Sequence, residues 1–111
     1  MEFQRLSVVR LCTPAGGSPP DGPDDEAIQA AHLVYLGSLQ ERGIVAINGP
    51  VRAVDTGRWR GLTIYTVDVD EAREIAMQDP AVQAGWFDVV VDRWLVKAVP
   101  QTVGTRVDLE L

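Results

Sequence analysis

The longest strand candidate of the chain, Trp86 to Val99, is rich in valine and carries hydrophobic side chains on both faces. Side chains alternate between the two faces of a strand. One face would carry Phe87, Val89, Val91 and Leu95, and the other would carry Trp86, Val90, Trp94 and Val96. A bare face with two tryptophans would be a large exposed apolar patch, so both sides of this strand need a covering layer.

Earlier parts of the chain predict three further strands and two main helices. The apolar patterns place strands at residues 3–12, 44–48 and 62–67, and helices at residues 24–43 and 71–78, followed by a short helical turn at 80–84. Thr13 to Pro23 is expected to be a loop, because seven of its eleven residues are Pro or Gly. We expect Gly49-Pro50 to form a turn, residues 55–60 to form the tip of a hairpin, and Gly43 and Gly85 to end helices.

The order of these elements, β-α-β-β-α-β, is that of the ferredoxin-like α+β sandwich, in which two helices cover one face of a four-stranded antiparallel sheet. The length suits one such domain at residues 1–99, with the Pro/Gly-rich loop at 13–23 and a C-terminal tail at 100–111. We expect a symmetric homodimer of the dimeric α+β barrel type to bury the open sheet face. The tail could instead fold back over that face or add a strand to a neighbouring edge.

The charge and cysteine content exclude several classes of protein. The sequence has 10 Lys and Arg against 16 Asp and Glu, a net charge of −6 with the basic residues scattered, so no nucleic-acid partner is expected. One cysteine and one histidine cannot form an intrachain disulfide or a Cys/His zinc site. No apolar run is long enough to span a bilayer, and the first residues do not resemble a signal peptide. We expect a cytoplasmic protein without a membrane partner and without a metal or an organic cofactor.

Several short motifs of the chain resemble the YCII family of small YciI-like proteins. They are Ala31-His32-Leu33, Gly43-Ile44-Val45, Asn48-Gly49-Pro50 and, as the most specific, the segment from Asp79 to Phe87 with the sequence DPAVQAGWF. In that family a DP-x-V-x-A-G-x-F/Y segment follows the second helix. The resemblance covers residues 6–96. It implies a dimeric ferredoxin-like fold and a site made of a histidine on the first helix and an aspartate after the second, which match His32 and Asp79 here.

The residue pattern supports the same pair on physical grounds. His32 belongs to the apolar stripe of the first helix, together with Ile28, Ala31, Tyr35, Leu36 and Leu39, so its ring is expected to face the sheet. Asp79 at one ring nitrogen would fix the tautomer and leave the other nitrogen to take or give a proton. A lone histidine on an apolar face is more often a core residue, and an aspartate before Pro80 is more often a helix cap. A capping carboxylate uses one oxygen for the helix and leaves the second oxygen free for His32, so Asp79 can fill both roles.

Five further residues are candidate substrate-binding residues: Ser7 and Arg10 in the first strand, Tyr35 one turn after His32, Asn48 at the end of the second strand, and Arg52 after the Gly49-Pro50 turn. Ser7 alternates with Leu6 and Val8 and is expected on the open side of the sheet. Arginine and asparagine suit a substrate carboxylate, and the tyrosine hydroxyl could enter the pocket. Exposed rim positions and an interfacial core tyrosine are the plainer interpretations.

A sparse acid–base pair suits reactions that require only the movement of protons. We therefore expect a small-molecule enzyme, a lyase or an isomerase, in which His32 is the general acid or base and Asp79 orients it. Elimination, isomerisation or cyclisation of a small organic or aromatic substrate would fit, and loss of halide from a ring is the elimination that the YCII resemblance implies. A non-catalytic ligand-binding or accessory dimer is the alternative, and a cofactorless oxygenase is a third.

Overall fold

The computed structural model describes residues 3–17, 22–55 and 57–97, and within them four strands and three helices follow one another. The strands are β1 (Gln4–Cys12), β2 (Val45–Pro50), β3 (Trp59–Tyr65) and β4 (Asp88–Val96). The helices are α1 (Asp25–Glu41), α2 (Val69–Met77) and the single-turn α3 (Pro80–Gln83). The ferredoxin-like α+β class is therefore confirmed, whereas the tail at 100–111 lies outside the described residues. No helix in the described ranges combines the length and the apolar character that crossing a membrane requires.

The strands form one antiparallel sheet in the order β2-β3-β1-β4. α1 packs over β2, and α2 packs over β1 and β4. Alternate residues of β1 enter the core beneath the helices, as the period of a strand requires. The core contains Val9 and Leu11 of β1, Tyr65 of β3, Leu36 and Leu39 of α1, and Ala72 and Ala76 of α2. The opposite face of the sheet has no covering helix within the described residues, and we call it the open face.

Two glycines end helices as the sequence predicts. Gly43 after α1 and Gly85 after α3 have φ angles of +75° and +83°, in the left-handed region that favours glycine. The N–H of Gly85 donates to the Val82 carbonyl at 3.0 Å, and the N–H of Trp86 donates to the Ala81 carbonyl at 3.0 Å. These two bonds turn the chain from α3 toward β4, so Trp86 still belongs to the helix cap.

The face predicted for Trp86 is therefore wrong. Trp86 precedes β4 and lines a groove with residues of α1 on the helix-covered side. Trp59 of β3 lies on the open face instead, close to Trp94 of β4. The open face still carries two tryptophans, but one of them comes from a different strand.

Two predicted strand ends also differ from the structure. Gly49 and Pro50 are the last residues of β2 and do not form a turn. β2 is an edge strand, where a proline without an N–H is tolerated. β3 begins at Trp59 and not at Leu62, because Cys12 of β1 pairs with Trp59 and extends the ladder.

An irregularity in the pairing of β1 with β3 decides the position of Arg60. The register shifts between Leu11 and Cys12, so that Gly61 lies opposite Leu11 and Trp59 lies opposite Cys12. Strict alternation would place Arg60 on the face of the sheet that carries Leu62. With the shift, Trp59 takes the open face and Arg60 lies on the side that α1 covers.

Candidate functional site

Asp79 is held at the start of α3 by the residues that follow it. Pro80 occupies the first turn of α3. A backbone N–H at this position would have no acceptor within the helix, so the proline, which lacks an N–H, costs no hydrogen bond. The Oδ1 atom of Asp79 accepts a hydrogen bond from the Ala81 N–H at 2.9 Å, so the predicted cap is confirmed. Asp79 is only 2% exposed, which fixes its carboxylate inside the fold and requires a donor for its second oxygen.

His32 supplies that donor from α1. Its Nδ1 atom lies 2.7 Å from Oδ2 and 2.9 Å from Oδ1 of Asp79. The two side chains are 12% and 3% exposed. An ionised carboxylate only accepts hydrogen bonds, so Nδ1–H is the donor, and in a neutral ring Nε2 would then carry the lone pair. The structure thus brings into contact the two side chains that the sequence analysis paired.

The Nε2 atom of His32 is not fully buried. It has no hydrogen-bond partner within the described part of the chain. That part contains no buried side-chain nitrogen or oxygen without a partner, so Nε2 is not sealed from solvent. The ring of Phe87 lies beside the imidazole, with 6.0 Å between the ring centroids and 48° between the ring planes. The imidazole therefore has one nitrogen on a buried carboxylate and an aromatic ring beside it.

The cavity that His32 lines, which we call the His32 cavity, lies where β1 and β2 end and β3 begins. Its volume of about 480 Å³ is within the range of about 300–1,000 Å³ that is typical of small-molecule sites. It is lined by Gln29, His32, Leu33 and Leu36 of α1, Leu11 of β1, residues 48–50 and Arg52, residues 60–63, and Phe87. Mostly apolar walls with a few polar groups suit a small organic molecule.

Two of the five candidate substrate-binding residues line the His32 cavity. Asn48 lies in β2, and its Nδ2 atom donates to Oε1 of Gln40 at 3.0 Å. Arg52 lies just beyond the end of β2 and is exposed to solvent. The structure brings both residues to the same cavity as His32.

Ser7 does not line the His32 cavity, and the face predicted for it is wrong. Val8 takes the open face, so Ser7 points to the helix-covered side, where it is 2% exposed. Its hydroxyl donates to the Val67 carbonyl at 2.6 Å. This contact ties β1 to the segment that enters α2.

Arg10 lies on the open face and also outside the His32 cavity. Its Nη2 atom is 3.4 Å from Oδ2 of Asp92, and its guanidinium lies 5.9 Å from the ring centroid of Trp59. These contacts hold Arg10 among the residues of the open face.

Tyr35 faces the core between α1 and α2. Its hydroxyl donates to the Ile75 carbonyl at 2.8 Å. Burial raises the pKa of Tyr35, and the Asp79 carboxylate raises this pKa further, whereas the Arg42 guanidinium acts in the opposite direction. The phenol therefore keeps its proton and acts as a donor to the backbone.

Gln29 and Arg60 line the His32 cavity but were not among the candidates from the sequence. Gln29 precedes His32 by less than one helical turn, so its spacing could have identified it. Arg60 could not be found in this way, because its side of the sheet depends on the register shift between β1 and β3.

A second groove adjoins the His32 cavity and shares Gln29, Leu33, Arg60 and Phe87 with it. It is shallower, has a volume of about 650 Å³, and is also lined by Trp86 and by Asp25 and Glu26 in the first turn of α1. His32 does not line this groove. The candidate site of chemistry is therefore the His32 cavity, although the groove is larger.

Residues 7–95 match the model of the YCII-related domain. Among solved structures, the chain resembles 5-chloro-2-hydroxyhydroquinone dehydrochlorinase (TftG) from Burkholderia phenoliruptrix in complex with 2,5-dihydroxybenzoquinone, with 26% identity and a TM-score of 0.56 over 80% of this chain and 92% of that chain. It also resembles a mutant of SnoaB, a cofactor-independent oxygenase from Streptomyces nogalater, with 13% identity and a TM-score of 0.48 over 89% of this chain and 99% of that chain. A search of curated proteins found no match.

Proposed function

The chain belongs to the YCII-related domain family, and from this premise we propose that it is a small-molecule enzyme with His32 as its general acid or base. One observation carries the proposal: Nδ1 of His32 lies 2.7 Å from a buried Asp79 oxygen, while the same ring lines a cavity of about 480 Å³. Asp79 would fix the ring and its tautomer, and Nε2 would take a proton from the substrate and later release it. This proton transfer by itself requires no metal or organic cofactor.

Loss of halide from a hydroxylated ring is the first reaction that we propose. It is supported by the likeness, at 26% identity, to a solved dehydrochlorinase. A ring hydroxyl would first lose its proton and the chlorine-bearing carbon would gain one, which gives a keto tautomer. Nε2 would then remove the proton of a second hydroxyl, the pair of that O–H bond would form a C=O bond, the adjacent C=C pair would shift to the chlorine-bearing carbon, and chloride would leave with the pair of the C–Cl bond. The net change is loss of HCl, which requires no oxidant or reductant. Isomerisation and cyclisation would use the same movement of a proton.

Chloride release from 5-chloro-2-hydroxyhydroquinone tests the elimination directly. Under anaerobic conditions, we expect the protein to release chloride faster than buffer alone and, in D₂O, to exchange substrate hydrogen for deuterium. Ion-selective electrode readings and mass spectrometry measure the two effects. Exchange without chloride release would favour isomerisation or cyclisation. If 2,5-dihydroxybenzoquinone raises the melting temperature but no halogenated or hydroxylated ring in a panel reacts, the non-catalytic ligand-binding alternative is favoured.

We also propose that the protein forms a homodimer through the open face of the sheet. Trp94 of β4 is 48% exposed, and Ile47 of β2 is 66% exposed. Trp59 and Leu62 of β3 line a shallow groove of about 370 Å³ with Trp94 on this face. Face-to-face packing of two sheets would remove these apolar side chains from water and so favour association.

Replacing Trp94 with glutamate is expected to convert the dimer into a monomer. The introduced carboxylate would have to be buried in the interface, where desolvation opposes association. Leu95→Glu is the matched control, because Leu95 is 55% exposed but lies on the other face of the same strand. Sedimentation velocity at micromolar concentration measures both variants. A wild-type protein that sediments as a monomer would contradict the proposed dimer.

A further inference from the structure

We propose that Arg52 and Arg60 form an anion-binding subsite of the His32 cavity. The ligand class that follows is a small planar molecule with a negatively charged oxygen group, either a carboxylate or an ionised ring hydroxyl. This inference rests on the proposed function for the role of His32 and adds the chemical class of the substrate. Both arginines line the same cavity as His32.

The pairing of β2 with β3 brings the two arginines to one end of the sheet. Pro50 pairs with Gly61, and one residue further along, the Val51 N–H donates to the Arg60 carbonyl at 2.8 Å. Arg52 is the next residue after Val51, so the arginines lie on neighbouring segments of chain. The register shift of β1 against β3 places the Arg60 side chain on the helix-covered side, where the His32 cavity lies.

Neither guanidinium forms an ion pair with a carboxylate in the described part of the chain. The ion pairs found there are Arg10–Asp92, His32–Asp79, Arg58–Asp88 and Arg93–Asp68. Asp25 and Glu26 line the adjoining groove with Arg60, but neither is ion-paired to it. Among the residues that the structure describes, the lining of the His32 cavity contains these two guanidinium groups and no carboxylate, so both groups are available to an anion that enters the cavity.

The cations available to an anion in this cavity are the arginines and not His32. When the His32 ring is protonated, the Asp79 carboxylate beside it balances the charge. When the ring is neutral, the pair carries a net negative charge. A guanidinium binds a planar oxyanion through parallel hydrogen bonds, and Leu11, Leu36 and Phe87 offer apolar contact to a ring. The guanidinium groups that hold this oxygen would also stabilise the negative charge that develops on the substrate as Nε2 removes a proton.

Binding of an anion and of its neutral analogue tests the subsite without any turnover. The probes are 2-hydroxybenzoate and 2-hydroxybenzamide, which share a ring and differ in charge. Isothermal titration compares the wild-type protein with Arg52→Gln, Arg60→Gln and the double variant. Arg73→Gln is the matched control, because Arg73 is exposed on α2, lies outside the lining of the cavity, and its replacement removes the same charge. Circular dichroism checks that each variant keeps its fold.

We expect the wild-type protein to bind the benzoate about tenfold more tightly than the benzamide. Each single variant is expected to lower this preference severalfold, the double variant to abolish it, and Arg73→Gln to retain it. Added salt should weaken binding of the anion more than binding of the amide. The proposal is overturned if wild-type protein binds both probes equally, if it binds no benzoate at millimolar concentration, or if the double variant keeps the preference.

The binding experiment and the turnover experiment can fail independently of each other. If the double arginine variant keeps the preference while His32→Ala abolishes turnover, the anion subsite is wrong and the acid–base function stands. If the arginine variants lose the preference but the wild-type protein catalyses neither chloride release nor deuterium exchange, the subsite stands and the enzymatic function is wrong.

Discussion

Replacing His32 with alanine is expected to lower turnover by about 100- to 10,000-fold, the loss that is typical when a positioned acid–base group is removed. The physical reason is the absence of Nε2, the ring nitrogen that is open to the cavity. His32→Asn is the more informative variant. Its amide nitrogen can take the place of Nδ1 and donate to Asp79, but it offers no atom in the place of Nε2. Both variants should lose turnover, whereas the asparagine variant should keep more of the wild-type stability.

Initial rates of chloride release and of deuterium exchange measure these losses. Ser38→Ala is the matched control, because Ser38 lies on the same helix, is exposed, and donates to the Tyr35 carbonyl at 2.8 Å. It is expected to react at the wild-type rate. A folded His32→Asn protein with the wild-type rate would show that the imidazole is not the acid or base.

Replacing Asp79 with alanine is expected to lower the free energy of unfolding by about 2–4 kcal/mol. Two contacts are lost together. The Ala81 N–H loses its cap, and Nδ1 of His32 loses its partner inside the fold. Urea denaturation with linear extrapolation measures the change. Stability equal to that of the wild-type protein would mean that the buried carboxylate does not hold α3 and α1 together.

Asp79→Asn separates the structural role of this residue from its chemical role. The amide oxygen can still cap α3 by accepting from the Ala81 N–H, so most of the stability should remain. The amide nitrogen would then face Nδ1 as a donor, and this favours the tautomer in which the hydrogen sits on Nε2. With Nε2 protonated, the ring cannot begin by accepting a proton, so turnover should fall toward that of His32→Ala. An Asp79→Asn protein with full turnover would contradict the orienting role of Asp79.

The local parts of the fold could be predicted from neighbouring residues in the sequence. Gly43 and Gly85 end their helices because only glycine adopts a positive φ without strain. Asp79 caps α3 because Pro80 follows it and prevents the preceding helix from continuing. These features depend on contacts between residues that are close together in the sequence, so the local sequence is sufficient to predict them.

The candidate site was only partly predictable. His32 and Asp79 were paired from a helical stripe, a cap motif and a family resemblance, and their side chains do lie in contact. The face predicted for Ser7 is wrong. The alternation of side chains along a strand shows which residues share a face of the sheet, but it does not show which face the helices cover. Arg60 was missed, since its side chain changes face at a register shift that no local pattern marks.

The amino-acid sequence by itself determined the order of strands and helices and the residues that end each helix. Periodicity and capping set these features through interactions of short range, whereas the pairing of His32 with Asp79 also required the family resemblance. Only the tertiary structure decided which face of the sheet is covered, that Trp59 and not Trp86 joins Trp94 on the open face, and that two arginines reach the cavity beside His32. These outcomes depend on the register between strands far apart in the chain, where a slip of one residue moves a side chain to the opposite face.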